Sequence, residues 1–321
     1  DAAREIANAL LSGERKAILL GNAAAHHPQA TALLALATWI GEQTGATVGY
    51  LTEAVNTVGA QLVNAMPRNG GLNAGRMLSD PLKAYLLLNL EPALDTANPI
   101  ATMRALQSAE MVVVMTPFKD VALDVADVLL PVSPFTETAG AFVNAEGRVQ
   151  SFHGVVKPLG ETRPGWKVLR VLGNMLGLDG FAQESAEEVR AEALGSVDSI
   201  ASRLSNRGAA MPSDSILPAQ DLERIADVPI YHADSLVRRS PPLQQTTDAK
   251  AAPWAGISQA LWDELGLQPG AQVRVTQGEG SALLPARLEP SLASNAVRVS
   301  VGHPTTATLG AMFGAIRVEK A

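Results

Sequence analysis

Residues 84–130 read AYLLLNLEPALDTANPIATMRALQSAEMVVVMTPFKDVALDVADVLL. Three apolar runs stand out, at 84–90, 111–115 and 128–130. Between the first two, residues 99–107 open with Pro99, whose fixed φ suits the first turn of a helix. A shorter helical stretch, 121–126, precedes the third run. Runs that are apolar at every position, rather than at alternate ones, suit strands buried on both faces. That is the signature of parallel strands covered by helices. The segment therefore predicts an α/β fold with an open, doubly wound, mostly parallel sheet, whose ligand edge lies at the C-terminal ends of the strands.

The same alternation extends upstream. Residues 2–11 predict a helix stopped by Gly13, and 17–20 (AILL) a buried strand ended by Gly21 and Asn22. Pro28 fits the first turn of a helix running to Gln43, with Gly45 closing it, and 47–51 form the next strand. On this reading Gly21, Asn22, Asn89, Glu91 and Thr116 lie near one crevice. Downstream, 141–152 (AFVNAEGRVQSF) predict a hairpin around Ala145-Glu146-Gly147. Helices follow at 164–176 and 184–194.

Residues 206–226 mix Ser, Asn, Gly, Pro and Asp and read as a linker, and 239–253 as a second loose stretch. The pattern then switches. A helix at 257–265 is followed by β runs at 272–276, 282–288, 297–301 and 315–318, punctuated by glycines. Short strands at that spacing predict a compact barrel. The domain reading is an α/β domain over 1–205, a linker over 206–226 and a small β-barrel domain over 227–321.

Composition narrows the chemistry. The 321 residues are 47% hydrophobic, 18% charged and 4% aromatic, and the 25 basic against 32 acidic side chains give a net charge of −7. No basic run marks a nucleic-acid footprint. The chain has no cysteine, which removes disulfides, thiolate-held iron–sulfur clusters and thiolate zinc sites from its own repertoire. No apolar run approaches the roughly 18–20 residues needed to span a bilayer.

Motifs for catalysis are scarce. Gly278 and Gly280 begin a dinucleotide fingerprint, but Leu283 stands at its third glycine position and no helix follows, so they read as turn residues. No phosphate-binding loop and no G-x-S-x-G nucleophile elbow occurs. His26-His27 is a metal candidate, but adjacent side chains diverge, and His153, His232 and His303 are isolated in sequence, so a polar loop is the better reading. Asp120, Asp124 and Asp127 share helical spacing and read as a solvated face. Arg238-Arg239 could clamp a carboxylate or phosphate, and reads as a surface pair. The residues alone yield an architecture and no reaction.

Two longer strings carry a resemblance. ADVLLPVSPFTETAGAFVNAEGRVQ at 126–150, with AYLLLNLEP before it and KPLGETRPGWKVLRVLGNMLG after it, resembles the molybdopterin oxidoreductase superfamily. LWDELGLQPGAQVRV at 261–275 and AVRVSVGH at 296–303 are similar to that superfamily's C-terminal pterin-dinucleotide-binding domain, a double-psi β-barrel. GNAAAHHPQATALLALATWIGEQTGATVGYLTEAVNTVGA at 21–60 and MPRNGGLNAGRML at 66–78 narrow the resemblance within the superfamily. They are similar to the C-terminal part of the molybdopterin-oxidoreductase-like iron–sulfur subunit of NADH-quinone oxidoreductase, respiratory complex I. The resemblance is weakest over 179–226.

This resemblance implies a structural region of the complex's peripheral arm at the cytoplasmic face of the bacterial inner membrane. Its partners would be the other complex subunits, with no nucleic acid and no membrane span. Iron–sulfur clusters would belong to a more N-terminal part of the subunit. The resemblance implies no cofactor, metal or catalytic residue in this chain and no molybdopterin, with Asn22, Asn89, Asn144 and His303 as the crevice candidates should a ligand bind. The barrel end, Gly302-His303-Pro304-Thr305-Thr306, lacks the Asn-containing continuation expected in many cofactor-binding relatives. Two alternatives stay open: a C-terminal portion of an active molybdopterin-dependent oxidoreductase such as a formate dehydrogenase, and a free-standing α/β protein binding a nucleotide-like ligand.

Overall fold

The computed structural model describes residues 2–205, 221–251 and 253–321. The chain forms two compact units, the described residues of Asp1–Ala65, Ala141–Ser151 and Arg190–Pro218 in one, and of Met66–Gly140, Phe152–Val189 and Ala219–Ala321 in the other.

In the first unit, β1 (Ala17–Leu20) and β2 (Thr47–Tyr50) pair in parallel, with Ala17 opposite Thr47 and Leu20 opposite Tyr50. The helix Ala30–Thr44 connects them and ends at the Gly45 cap. Its buried Ala35 and Ala37 keep the helix close to its surroundings. β1 ends at Gly21-Asn22 as expected, and a short helix, Asn22–Ala25, follows at once. This unit's core joins Leu62, Val143, Leu194 and Ile200. Asn56 accepts the Val143 backbone N–H at 2.9 Å, and Arg203 donates to the carbonyls of Leu194, at 2.7 Å, and Leu62.

The second unit holds the segment that opened the sequence reading. Here β3 (Ala84–Leu88), β4 (Met111–Thr116) and β5 (Val128–Pro131) form a parallel sheet in the order β3-β4-β5. The helix Pro99–Gln107 crosses from β3 to β4. Asn98 caps it by accepting from Ala101 N–H at 3.1 Å, and Pro99 occupies its first turn. Its buried Pro99, Thr102, Ala105 and Leu106 make one face, and Ala105 and Leu106 pack with Tyr85, Val112 and Val114. The strands expected in one parallel sheet therefore divide between two, β1-β2 and β3-β4-β5. Apolar runs specify that a strand is buried, not which strand lies beside it.

The expected helix at 121–126 is a single 3-10 turn, Lys119–Ala122. Asp127 then carries its carboxylate to the Val112 N–H at 2.7 Å, so Asp120, Asp124 and Asp127 do not share a helix face. Next come β6 (Gly140–Val143) and β7 (Val149–Phe152), a two-stranded hairpin. Gly147 in its turn has φ +80°, a left-handed conformation that side-chain-bearing residues resist.

The last part is a seven-stranded, barrel-like mixed sheet. It contains β8 (Glu223–Ile225), β9 (Ala255–Ile257), β10 (Gln272–Gln277), β11 (Gly280–Leu288), β12 (Ala296–Val299), β13 (Gly314–Ala315) and β14 (Arg317–Lys320). The order is β13-β8-β12-β9-β11-β10-β14. Burial alternates along β10 and the first half of β11, so Val273, Val275, Ala282 and Leu284 face the core with Val297, Val299 and Leu309. β8 falls inside the span read as a linker, whose residues 206–220 lie outside the described residues. The stretch 239–253, read as loose, carries the short helices Pro241–Gln244 and Thr247–Ala251. Ala255–Ile257, three residues, is too short to show a period in sequence. Among the described residues no helix is long and apolar enough to cross a membrane.

Candidate functional site

The C-terminal edge of β3-β4-β5 is where an open α/β sheet offers its crevice. Asn89 leaves β3 at φ +51°, its N–H still bonded to the Met115 carbonyl at 2.9 Å. The chain then turns sharply, because the N–H groups of Leu94 and Asp95 both donate to the Glu91 carbonyl at 2.9 Å. The Asp95 carboxylate accepts the Glu91 N–H at 2.8 Å. This turn holds two carboxylates side by side. From β4, Thr116 accepts the Phe118 N–H at 3.1 Å and shapes the loop that carries Phe118 and Asp120.

Two guanidiniums fill this edge. They are Arg238, the last residue of the short helix Ser235–Arg238, and Arg239, its C-cap; the N-cap Asp234 accepts from Leu236 and Val237 N–H at 2.8 and 3.2 Å. Arg238 Nη2 lies 3.0 Å from Glu91 Oε2 and 2.8 Å from Asp95 Oδ1, and its Nη1 donates to the His232 carbonyl at 2.7 Å. Only 7% of the Arg238 and Glu91 side chains is exposed. The Nη2 contacts are ion pairs whose angles fall short of hydrogen bonds, and among the described residues Nε has no hydrogen-bond partner. Arg239 donates to the other Glu91 oxygen and reaches Asp120 at 3.3 and 3.4 Å, with its guanidinium 4.2 Å above the Phe118 ring. The Arg238-Arg239 pair is thus no surface spot, and Asp120 is not simply solvated. Their partners lie up to 148 residues away in the chain, so no local pattern could have disclosed them.

Beside the cluster, His232 and His303 meet edge to face with ring centroids 4.8 Å apart. Burial, and then the Arg238 charge, holds the His232 pKa below the usual histidine value. Burial, and then His232, does the same for His303. Both imidazoles are therefore kept neutral at pH 7. His303 Nδ1 accepts from Thr305 N–H at 3.1 Å.

The four crevice candidates divide between the units, Asn22 and Asn144 in the first, Asn89 and His303 in the second. Asn144 spends its side-chain oxygen on the hairpin, accepting from Glu146 and Arg148 N–H at 3.1 and 2.9 Å. Asn22 opens the short helix after β1 and accepts the His26 N–H at its carbonyl. His27 Nδ1 accepts the Gln29 N–H at 3.0 Å, a local turn contact. Among the described residues no group of three or more His, Asp or Glu is placed to hold a metal ion.

Chemically, the edge is a closed ion cluster. Glu91, Asp95 and Asp120 face Arg238 and Arg239, three carboxylates against two guanidiniums. An incoming phosphate would meet an excess of negative charge and would have to break buried pairs, which costs several kcal/mol per exposed partner (about 3–5). The residues here do not fit an anionic, phosphate-bearing group.

Comparison with known proteins places this architecture. A family profile described as molybdopterin oxidoreductase matches residues 2–175, more than half of the chain. A Staphylococcus aureus protein named as a formate dehydrogenase is 40% identical over 75 residues, 23% of this chain and 8% of that protein. A Bacillus subtilis protein named as an oxidoreductase, YjgC, is 32% identical over 132 residues, 40% of this chain and 13% of that protein. Among solved structures, acetylene hydratase from Pelobacter acetylenicus shares the fold, with a TM-score of 0.53 at 16% identity over 77% of this chain and 46% of that one. The matches span 8% and 13% of the length of the two sequence relatives and 46% of the solved chain.

Proposed function

This chain belongs to the molybdopterin oxidoreductase family, and on that premise we propose that it is a non-catalytic supporting region of a larger oxidoreductase subunit. Its counterpart on this reading is the C-terminal part of the molybdopterin-oxidoreductase-like iron–sulfur subunit of NADH-quinone oxidoreductase. One observation carries the reading. The C-terminal edge of β3-β4-β5, where an open α/β sheet offers a ligand crevice, is occupied by the chain's own Glu91–Arg238–Arg239 cluster. A group held there would have to displace charges already paired and buried. Family membership alone does not imply retained chemistry, because function resides in the site rather than the fold.

On this reading the chain binds no molybdopterin, and its barrel-like sheet is the double-psi β-barrel of the family, kept for packing. The domains are an α/β region over 1–205 and a barrel over 227–321. The iron–sulfur clusters that move electrons from NADH toward quinone belong to another part of the subunit. The partners are the other subunits of a peripheral arm on the cytoplasmic face of the inner membrane.

A second reading has its own support. The 40% identity over 75 residues with a protein named as a formate dehydrogenase favours a portion of an active molybdopterin-dependent oxidoreductase. One experiment separates the two. The full-length protein is purified natively from its source, its co-purifying subunits are identified, and iron, molybdenum and tungsten are quantified. NADH dehydrogenase subunits with iron but neither heavier metal is the expected result. Stoichiometric molybdenum or tungsten with extractable pterin would overturn the supporting role and establish the second reading.

A further inference from the structure

Residues 63–71 are exposed without interruption, and within them the chain turns at Arg68-Asn69-Gly70-Gly71. The Gly71 N–H donates to the Arg68 carbonyl at 2.9 Å. Both residues inside that turn have positive φ, Asn69 at +52° and Gly70 at +84°. Asn and Gly are the residues that tolerate this pair of conformations in a two-residue turn. Among the described residues no other hydrogen bond closes it.

Asn69 differs from the other asparagines of the chain in what surrounds its carboxamide. It begins the chain's only Asn-Gly step. Gly70 has no side chain to screen its N–H, and among the described residues that N–H donates to no acceptor. A Cβ built on Gly70 would meet no atom within 4 Å beyond its chain neighbours, so the approach to its nitrogen is open. The Asn69 carboxamide makes no hydrogen bond among the described residues. By contrast, Asn56 accepts the Val143 N–H at 2.9 Å, Asn73 the Arg76 N–H at 2.9 Å and Asn98 the Ala101 N–H at 3.1 Å. Asn64 shares the positive φ, at +57°, but the N–H of Ala65 after it is already donated to the Ala60 carbonyl at 2.8 Å.

We propose that Asn69 is a site of spontaneous deamidation and isoaspartate formation, with water as the only co-reactant. The Gly70 nitrogen gives its proton to solvent base and attacks the Asn69 Cγ. The new N–Cγ bond closes a succinimide ring, the Cγ–Nδ2 bond breaks, and Nδ2 takes a proton from water and leaves as ammonia. Water then adds to one of the two ring carbonyls. Cleavage of the N–Cγ bond leaves aspartate, and cleavage of the original peptide C–N bond leaves isoaspartate, with the chain running through Cβ and Cγ. No oxidant or reductant takes part. The turn opens for the ring to close, and exposed loop segments open at a free-energy cost near zero. Isoaspartate lengthens the backbone by one carbon, so the Arg68–Gly71 bond loses its spacing, and either product adds a negative charge beside Arg68. The site does not depend on the supporting role proposed above, since it takes no residue from the crevice.

The test follows the full-length native protein in warm, mildly alkaline buffer over days, beside a sample unfolded in urea. Peptides are mapped by mass spectrometry, and isoaspartate is labelled with an isoaspartate methyltransferase and radioactive S-adenosylmethionine. The Asn69 peptide is expected to gain one mass unit and to split into aspartate and isoaspartate forms before any other asparagine peptide changes. Its rate in the folded protein should lie within about tenfold of the unfolded rate, because opening an exposed loop costs little. Asn69→Gln, at an exposed position, should remove the methyl label from this peptide and leave the circular dichroism unchanged, since the longer side chain would have to close a larger ring. An Asn69 that stays intact in the folded protein while the unfolded sample converts overturns the proposal. So does an Asn69 that converts in neither sample, or another asparagine that converts first.

Discussion

Glu91 and Arg238 hold their charges 3.0 Å apart with 7% of each side chain exposed. Glu91 also receives Arg239, and Arg238 also reaches Asp95 at 2.8 Å, so the pair is the centre of a network. Buried pairs of this kind add little net stability relative to an apolar replacement, because desolvation offsets the attraction. Breaking one by removing a single partner is different, because a charge is stranded.

That asymmetry predicts the outcome of substitution at the cluster. Glu91→Ala should lower unfolding stability by about 3–5 kcal/mol, since both guanidiniums lose their shared partner. Replacing both members, Glu91→Leu with Arg238→Met, should recover most of the loss. Urea titration of the three proteins checks this, and a double variant as unstable as Glu91→Ala would contradict it.

The histidine pair predicts a pH dependence. In the folded chain both His232 and His303 titrate below the ordinary value, first because of burial. The unfolded chain takes up protons near pH ~6.5, while the folded chain resists them until lower pH. Stability is therefore full above about pH 6.5 and declines as pH falls below it. Melting temperature measured from pH 7.5 to 5.5 should drop, and His303→Asn should flatten the slope. An equal slope in that variant would rule out the pair as its source.

Arg224 is fully buried in the barrel and has no carboxylate partner among the described residues. It donates instead to the carbonyls of Val299, Ser300, Gly310 and Ala311 and to Gln277 Oε1, at 3.1–3.3 Å. Burial brings its pKa down to about 10, so it stays charged at neutral pH. Arg224→Met strands these acceptors and should cost at least about 3 kcal/mol. Amide hydrogen exchange in β10 and β12 reads the effect, and protection equal to the parent protein would refute this account.

Gly280 opens β11 directly beneath the Thr308 carbonyl. A methyl group there would sit 2.0 Å from that oxygen. Gly280→Ala must push the Thr305–Thr308 turn outward, with an expected loss of about 1–3 kcal/mol. Thermal denaturation gives the number. A variant of unchanged melting temperature would show that the turn yields freely.

The elements legible in sequence share one property: their signals are local. The helix Pro99–Gln107 announces itself by Asn98 and Pro99, and β4 by an unbroken apolar run. The hairpin of β6 and β7 announces itself by Glu146-Gly147 between alternating residues. The candidate site is not legible in this way. Asn144 reads as a crevice residue and is spent on its own turn, and Arg238-Arg239 reads as a surface pair and is claimed by buried carboxylates. A guanidinium carries no mark in sequence of whether its carboxylate is solvent-exposed or buried beside it.

By itself, the sequence determined the order of strands and helices, the switch to a β-rich end, the absence of thiolate chemistry and, through its longest ordered string, the family. Those depend on periodicity, turn residues and composition, which act over a few positions. Only the tertiary structure decided that the strands expected in one parallel sheet, β1 to β5, divide between two sheets, and that Glu91 and Asp120 are claimed by arginines 119 to 148 residues later. Only it placed Arg224 among backbone carbonyls in the barrel. Strand adjacency and charge pairing are set by which distant surfaces pack together, and burial then turns an ordinary surface pair into a closed site.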